Sequence, residues 1–397
     1  MQGHHAVLIR DEGEAKIFLQ EIGVDAGAYK YMLPKAVYRC IKLKNIPGKS
    51  ALIIKQEMLS KGGEAALKRD VFSLEGSTDI LLMGNLKHYC LLIEKLKVQP
   101  FGLKNLAAEI QDILDALQIS GRKIELPDGK TLKLEGQPLI MGILNLTPDS
   151  FYDGGRYLKV EKAVARAREM RAEGADIIDI GGASSRPNSL MIDEEEEMNR
   201  ILPVLEKLAG EDIIISVDTF RANVARASLE KGAHIINDIG RLQLDPSLMA
   251  VLADYQAPVV LMHNRMQFNQ NRSYEDLISE IIVELQESIA QAERAGLGKE
   301  KIIIDPGIGF GKNLDENRLI IKRLWEFKSL GRPLLLGASR KTFIGQTLGL
   351  EVDERLEGSL AVVALGVVNG ADIIRVHDVK ESKRVAMMSA AVVKQDG

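Results

Sequence analysis

The sequence predicts an α/β protein in which a (β/α)8 TIM barrel follows a small α/β N-terminal domain. From about residue 139, short apolar runs rich in β-branched residues alternate with longer segments of helical periodicity. The strand-like runs are apolar on both faces, as expected for a parallel sheet that is covered by helices. A (β/α)8 barrel needs about 250 residues, so the 397 residues of the chain leave room for a second, smaller domain.

Eight strand-like runs, each followed by a helical segment, favour closure into a barrel over an open sheet. Three of the runs follow a Gly-Ala pair, at Gly174, Gly232 and Gly370. Glycine in this place suits the left-handed conformation that often ends a helix. The runs are residues 139–147, 176–182, 213–219, 234–240, 258–263, 301–307, 333–339 and 372–378.

The segment before the first barrel strand predicts a β-hairpin. Residues 123–136 alternate apolar and polar side chains around a Pro-Asp-Gly turn. We expect this hairpin to close the bottom of the barrel and to belong to a second domain that comprises residues 121–397.

Residues 1–120 lack the regular alternation of the barrel and predict a small α/β domain. We expect strands at 50–56 and 79–85, and helices at 57–70 and 102–118. This part of the chain contains no recognisable catalytic motif, so its role stays open.

Composition and charge exclude several classes of protein. The net charge is −4, and no basic block argues for nucleic acid as a partner. Cys40 and Cys90 are too few for a metal cluster or a disulfide framework. The chain does not begin with a basic segment followed by an apolar core, and its apolar runs are far shorter than the about 20 residues that span a bilayer. We therefore expect a cytoplasmic protein without nucleic-acid or membrane partners.

Polar residues gather where the predicted strands end. In a parallel barrel the carboxyl ends of all strands meet at one face, which carries the active site in enzymes of this fold. Asp218, Asn237 and Asp305 could accept hydrogen bonds from the ring N–H and amino groups of a nitrogen-rich heterocycle. The last two strands supply two cations and an imidazole, which suit an anion such as phosphate. These residues are Lys341, Arg375 and His377.

Other interpretations of single residues stay open. Asp218 or Asp305 alone could cap the next helix, and His377 alone could be structural. Arg340 is better explained as part of a framework ion pair than as a ligand. The acidic run at 193–197 suits the solvated first turn of a helix. The functional interpretation therefore depends on the whole set of residues at the strand ends.

An ordered series of motifs resembles the dihydropteroate synthase family. In chain order the motifs are ILNLTPDSFYDGG, GGASSRP, VDTF, NDI, LMHNR, DPGIGFGK, ASRKTFIG and RVHDV, and the match covers roughly residues 123–397. The resemblance implies a transferase of folate biosynthesis that condenses 6-hydroxymethyl-7,8-dihydropterin pyrophosphate with p-aminobenzoate to 7,8-dihydropteroate and pyrophosphate. It also implies Mg²⁺ as a cofactor, a homodimer formed through late barrel helices, and a target of sulfonamides.

The resemblance also implies roles for individual residues. The catalytic set is Asp218, Asp305, Lys341, Arg375 and His377. The pterin-binding set is Asp218, Asn237, Asp305 and Lys341, with Ile239, Met262 and Phe310 as apolar walls. The pyrophosphate-binding set is Asn145, Arg375 and His377, of which Asn145 is also the expected ligand of Mg²⁺. The p-aminobenzoate-binding set is Phe151, Ser185, Arg186, Pro187 and Thr342.

The chain departs from the family pattern in one loop. The family commonly has GGESTRPG where this chain has GGASSRPN, so Ala183 lacks a carboxylate and Asn188 replaces a glycine. These changes lie in 183–188, which together with 147–155 forms the two loops that would close over p-aminobenzoate. Thr342 stands where serine is usual.

Two alternative functions stay open: a methyltetrahydrofolate–corrinoid methyltransferase, which handles no pyrophosphate, and a non-catalytic pterin-binding protein.

Overall fold

The computed structural model describes residues 3–69, 71, 76–119, 121–146, 156–183, 192–265 and 273–393, with the backbone alone for 156–158. The chain forms two compact units, Met1–Gln118 and Ile119–Lys394. Both units contain strands and helices, which confirms the predicted α/β class. No helix within the described ranges is long and apolar enough to cross a membrane.

The N-terminal unit is built on a three-stranded antiparallel sheet in the order β1-β3-β2. Along its two long strands buried residues alternate with exposed ones, because successive side chains point to opposite faces. Ile41 and Ile80 are among the inward residues and pack against Ile54, Tyr89 and Leu92 of the helices. The elements are α1 Glu12–Ile22, α2 Tyr29–Ala36, β1 Tyr38–Pro47, α3 Gly48–Ser60, β2 Glu64–Leu67, β3 Ser77–Asn85, α4 Leu86–Leu96 and α5 Leu103–Gln118.

The strand expected at residues 50–56 is wrong, because this segment lies in helix α3. Ala51, Ile54 and Met58 recur at helical spacing, and all three are buried. Taken alone, the apolar run is typical of a strand. In the folded unit a helix brings these three buried side chains onto the one face that packs against the sheet. The neighbouring strand β1 is absent from the sequence-based prediction.

The helix expected at residues 57–70 is also wrong in its greater part. Only its first residues are helical, and Glu64–Leu67 form β2, which pairs antiparallel with β3. Gly62, with a φ of 89°, turns the chain between the two elements. The strand at 79–85 and the helix at 102–118 are confirmed by β3 and α5.

The second unit is a barrel of eight parallel strands in the hydrogen-bonded order β11-β10-β9-β8-β7-β6-β13-β12. A parallel bridge between Ile304 and Leu334 joins the two ends of this order, which confirms the predicted TIM barrel. The strands are β6 Leu139–Asn145, β7 Ile177–Gly181, β8 Ile214–Asp218, β9 Ile235–Asp238, β10 Val259–Met262, β11 Ile302–Asp305, β12 Leu335–Leu336 and β13 Ile373–Val376. The helices are α6 Arg156–Glu173, α7 Glu194–Leu208, α8 Ala222–Glu230, α9 Leu248–Tyr255, α10 Leu277–Arg294, α11 Leu314–Lys322, α12 Thr342–Leu348, α13 Leu356–Val368 and α14 Val379–Val393.

A β-hairpin covers the amino-terminal end of the barrel, as the sequence predicts. Its strands are β4 Arg122–Glu125 and β5 Thr131–Leu134, which pair antiparallel. Ile124 and Leu132 form one buried cluster with residues near the starts of the barrel strands, including Met141. The hairpin therefore closes the bottom of the barrel, and we call the opposite face, which carries the carboxyl ends of the strands, the open face.

The acidic run Asp193–Glu197 opens α7 but is not wholly solvated. The side chain of Asp193 accepts a hydrogen bond of 2.7 Å from the backbone N–H of Glu196, which caps the helix. Glu197 is buried and ion-paired with Arg221, so the expectation of a solvated turn is wrong at its last residue.

Replacing Ile124 with alanine removes a fully buried side chain from the bottom of the barrel. We expect the free energy of unfolding of the barrel to fall by about 2–5 kcal/mol. Trp325, the one tryptophan of the chain, lies in the barrel unit, so its fluorescence in urea follows this unit alone.

The matched control is Lys123→Ala on the same strand, where the side chain is exposed. We expect the control to stay within about 0.5 kcal/mol of the wild-type protein. Equal losses in the two variants would show that the hairpin does not pack on the barrel as described.

Candidate active site

The register of the barrel sheet aligns the carboxyl ends of neighbouring strands. Gly181 of β7 is paired with Asn145 of β6 on one side and with Asp218 of β8 on the other. Asp218 is in turn paired with Asn237 of β9. A Cβ atom at Gly181 would lie 3.5 Å from Asn145 Oδ1 and 3.6 Å from Asp218 Cβ, so the missing side chain leaves space between them. The predicted polar residues of these strands thus lie in one row.

Asp218 is a buried carboxylate and does not cap the helix that follows it. Its side chain is only 6% exposed. Helix α8 begins after Arg221, and no side chain caps it there. Burial raises the pKa of Asp218, with a further rise from the charge of Asp179, while Arg375 opposes the shift. The capping interpretation is therefore wrong for this residue.

Asp179 belongs to the same network, although the sequence analysis did not single it out. Its side chain is fully buried in β7. Asp179 Oδ2 accepts hydrogen bonds from Arg375 Nε at 2.6 Å and from Asn237 Nδ2 at 3.1 Å. A carboxylate inside the otherwise apolar run IIDIG was the available signal, because a buried charge requires a partner.

Arg375 joins the two carboxylates of this network. Its Nε donates to Asp179, and its Nη2 donates to Asp218 Oδ2 at 2.9 Å. Burial would lower the pKa of Arg375, but Asp179 and Asp218 together raise it above its ordinary value. The family resemblance implies an anion pocket of Arg375, Asn145 and His377, whereas the structure pairs Arg375 with carboxylates.

Asp305 ends β11 as a second buried carboxylate of the open face. Its Oδ1 accepts a hydrogen bond of 2.7 Å from the backbone N–H of Gly307, so it does stabilise a turn. It does not cap α11, whose cap is Asn313. Burial raises the pKa of Asp305, while Lys341 and the Gly307 N–H oppose the rise. A Cβ at Gly337 would lie 3.7 Å from Asp305 Oδ2, so the glycine leaves this side of the carboxylate without a side chain.

Lys341 contacts the turn that follows Asp305. Its Nζ donates to the carbonyl oxygen of Ile308 and lies 4.6 Å from the ring centroid of Phe310, in a cation–π arrangement. Burial lowers the pKa of Lys341 to about 8, against the attraction of Asp305. The lysine and the phenylalanine of the expected pterin pocket are thus in direct contact.

Lys312 holds the same turn from its other side. Its Nζ donates to the carbonyl oxygens of Gly307 and Phe310, both at 2.9 Å, and of His263 at 3.2 Å. It also lies 3.0 Å from His263 Nδ1. Burial lowers the pKa of Lys312 to about 7, and burial together with Lys312 lowers that of His263 to about 3. His263 Nε2 lies 3.2 Å from a carboxylate oxygen of Glu284.

The last strands place His377 and Arg340 in different environments. His377 is half-buried, and its backbone N–H and Nδ1 lie 3.2 and 3.1 Å from Ser339 Oγ. Arg340 forms a bidentate ion pair with Asp378, with both distances at 2.8 Å. The framework interpretation of Arg340 is confirmed by this pair.

The expected apolar walls lie at the ends of β9 and β10. Ile239 is half-buried, and its carbonyl oxygen accepts a hydrogen bond of 3.1 Å from Asn264 Nδ2. Asp238 holds the turn around Ile239 by accepting from the backbone N–H of Gly240 at 2.6 Å. Met262 is buried at the end of β10, in register with Asp305 of β11.

The expected p-aminobenzoate residues fall mostly outside the described part of the chain. Thr342 is exposed at the first position of α12. Within the described ranges, no three histidine, cysteine, aspartate or glutamate side chains come together as a metal site. The expected metal ligand, Asn145, is half-buried. The expected p-aminobenzoate residues that lie outside the described ranges are Phe151, Ser185, Arg186 and Pro187.

Comparisons with known proteins agree with this geometry. A family model described as pterin binding enzyme matches residues 141–377, which span the barrel from β6 to β13. Dihydropteroate synthase of Bacillus subtilis is 46% identical over 267 residues, covering 67% of this chain and 92% of that protein. A solved dihydropteroate synthase of Xanthomonas albilineans with 4-aminobenzoic acid is 40% identical, with a TM-score of 0.65, and covers 69% of this chain and 99% of that chain.

A third relative also resembles the N-terminal unit. A probable bifunctional folylpolyglutamate synthase/dihydropteroate synthase of Halobacterium salinarum is 39% identical over 364 residues. The match covers 91% of this chain and 43% of that protein. Because 91% of the chain exceeds what Ile119–Lys394 contains, the similarity must extend into Met1–Gln118.

The fold and the row of polar strand ends define a TIM-barrel enzyme with its site at the carboxyl face. The chain belongs to the pterin binding enzyme family. Within that family its function is that of a dihydropteroate synthase, a transferase whose substrates are small molecules.

Replacing Lys312 with methionine keeps the length of the side chain and removes its hydrogen bonds to three carbonyl oxygens. We expect the free energy of unfolding of the barrel to fall by about 3 kcal/mol, because these acceptors lose a charged donor. Urea titration with Trp325 fluorescence measures this loss.

Lys322→Met on α11 is the matched control, since that side chain is exposed and should tolerate the change. A Lys312→Met variant as stable as the control would mean that the lysine does not hold the Gly307–Phe310 turn.

Proposed function

We propose that the open face of the barrel condenses 6-hydroxymethyl-7,8-dihydropterin pyrophosphate with p-aminobenzoate to 7,8-dihydropteroate and pyrophosphate. The observation that carries this proposal is the buried row of acceptors beside two cations, because it matches a donor-rich ring that carries an anion. The solved relative with 4-aminobenzoic acid supports the second substrate.

Asp218, Asn237 and Asp305 would bind the pterin ring. All three are at most 7% exposed, so a ring that reaches them is removed from water. Their oxygen atoms are acceptors for ring N–H and amino groups, and such bonds to a carboxylate contribute about 1.5–3 kcal/mol each. Lys341 would orient the ring, while Ile239, Met262 and Phe310 would contact its faces.

Asn145, Arg375 and His377 would bind the pyrophosphate. The planar guanidinium of Arg375 suits phosphate oxygens. The amide oxygen of Asn145 is a hard donor with open space beside it at Gly181, which fits Mg²⁺ because this ion commonly takes few protein ligands together with substrate phosphates. When bound, Mg²⁺ supplies positive charge that neutralises the pyrophosphate.

The reaction would be a dissociative substitution at the exocyclic methylene of the pterin. The bond from this carbon to the pyrophosphate oxygen breaks, and its electron pair leaves with the pyrophosphate. Asp218 and Asp305 favour the developing cation on the ring, whereas Arg375 and His377 stabilise the leaving group. The amine nitrogen of p-aminobenzoate then forms the new bond and releases a proton. It needs little help from a base, since an aniline is already neutral at pH 7.

The p-aminobenzoate would lie on the side of the two loops at 147–155 and 183–188. Thr342, exposed beside Lys341, is available for its carboxylate. Phe151, Ser185, Arg186 and Pro187 would shape the rest of this site, where sulfonamides would compete. The altered GGASSRPN loop concerns this half of the site and leaves the pterin half intact.

We also propose residues 1–120 as a separate domain and 121–397 as the catalytic one. The similarity to the Halobacterium salinarum protein supports an N-terminal unit that accompanies such barrels elsewhere. The cytoplasmic location stays a prediction from the sequence.

Purified protein with Mg²⁺, the pterin pyrophosphate and p-aminobenzoate should form dihydropteroate and pyrophosphate in equal amounts. We expect Lys341→Ala and Arg375→Ala to lower turnover by about 10²–10³, because each removes an electrostatic partner of the reacting groups. Lys322→Ala, at an exposed position of α11, is the control and should retain wild-type turnover.

Pterin binding without dihydropteroate formation would instead favour a non-catalytic pterin-binding protein. Methyl transfer from methyltetrahydrofolate to a corrinoid would favour the methyltransferase. Near-native turnover in both site variants would refute the residue assignments while leaving the activity intact.

The homodimer proposal is supported by an apolar surface on α13 and α14. These two helices pack side by side, and they expose Leu365, Val368, Met388 and Val392, each at least 51% exposed. Several exposed apolar side chains on two neighbouring helices are typical of an interaction surface.

We expect the wild-type protein to sediment as a dimer at micromolar concentration. Leu365→Glu together with Met388→Glu should give a monomer, because two charges would then be buried in the interface. Met32→Glu, an exposed methionine of the N-terminal unit, is the control and should stay dimeric. A dimer that survives the double substitution would place the interface elsewhere.

A further inference from the structure

Asp179 is the one carboxylate of the Arg375 network that no ligand can reach directly. Its side chain is fully buried, and its Oδ1 makes no hydrogen bond with the described residues. Its Oδ2 accepts from Arg375 Nε at 2.6 Å and from Asn237 Nδ2 at 3.1 Å. Asp179 therefore acts on the site only through residues that do face the open end of the barrel.

Asp218 has two competing partners. In the structure its Oδ2 accepts from Arg375 Nη2 at 2.9 Å. In the proposed reaction the same carboxylate accepts from the pterin ring. A ring that takes over Asp218 removes one of the two anionic partners of the Arg375 guanidinium, whose side chain is only 15% exposed, and a charge so far removed from water is disfavoured without a partner.

We propose that Asp179 is a positioning residue that keeps Arg375 paired while Asp218 is transferred from Arg375 to the pterin ring. The pair with Asp179 through Nε remains, and Nη2 becomes free to bind the pyrophosphate oxygens. Pterin recognition and pyrophosphate recognition are thereby coupled through one side chain. This inference rests on the proposed function and adds to it a residue and an exchange of partners.

The exchange has a consequence that a purely structural role lacks. Without Asp179, a pterin that carries no pyrophosphate must leave Arg375 without an anionic hydrogen-bond partner. A pterin that binds together with pyrophosphate brings a replacement anion. Loss of Asp179 should therefore weaken the binding of pterin alone much more than its binding in the presence of pyrophosphate, whereas a misfolded site would weaken both equally.

The test is calorimetric titration with 6-hydroxymethylpterin, alone and with saturating pyrophosphate and Mg²⁺. For Asp179→Asn we expect the dissociation constant of pterin alone to rise at least about tenfold, and that in the presence of pyrophosphate less than about threefold. The double variant Asp179→Asn/Arg375→Gln lacks the carboxylate and also the cation that would otherwise be left unpaired. Its affinity for pterin alone should therefore recover to within about threefold of wild type.

Asp176→Asn is the matched control. Asp176 precedes the same strand at the opposite end of the barrel, where it accepts from Lys383 Nζ and from the Ile140 N–H, both at 2.8 Å. This variant should bind pterin as the wild-type protein does, with or without pyrophosphate.

Equal losses with and without pyrophosphate in Asp179→Asn, or no loss at all, would overturn the proposal. A double variant whose affinity for pterin alone does not recover would also overturn the proposal. If Asp179→Asn does not fold, the double variant provides the test. Wild-type protein that binds pterin but forms no dihydropteroate would refute the proposed reaction without touching the exchange. Wild-type protein that binds no pterin would overturn both.

Discussion

Arg375 lies between the carboxylates of Asp179 and Asp218 inside the open end of the barrel. Three charges in this place are stable only as a set, because each one alone would lose its hydration without a replacement. The set also determines where Asn237 points, since the amide of this residue donates to Asp179. The shape and charge of the candidate site thus follow from one network that links β7, β8, β9 and β13.

The second half of the site depends on a turn held from both sides. Lys312 binds the carbonyl oxygens of Gly307 and Phe310, while Lys341 binds that of Ile308. The ring of Phe310 is thereby placed next to the cation of Lys341. Burial lowers the pKa of both lysines, and the charge of Asp305 opposes this shift in each case.

The two units differ in how far local pattern predicts them. In the barrel, apolar strands alternate with helical segments in a regular order, so the periodicity is unambiguous. The N-terminal unit lacks such a repeated alternation, and residues 50–56 carry an apolar run that suits a strand as well as a helix. Packing of Ile54 and Met58 against the sheet selects the helix. This contact depends on β1, which was not predicted, and on β3, which follows later in the chain.

Periodicity and the order of motifs are enough to predict the barrel, the hairpin at its base, the family, and the presence of polar groups at the strand ends. Which of these polar groups meet depends on the folded barrel. Asp179 and Arg375 are 196 positions apart, and their contact arises because closure of the barrel brings β7 and β13 to either side of β6. A buried charge finds its partner across such a distance through the register of the strands, which local sequence does not encode.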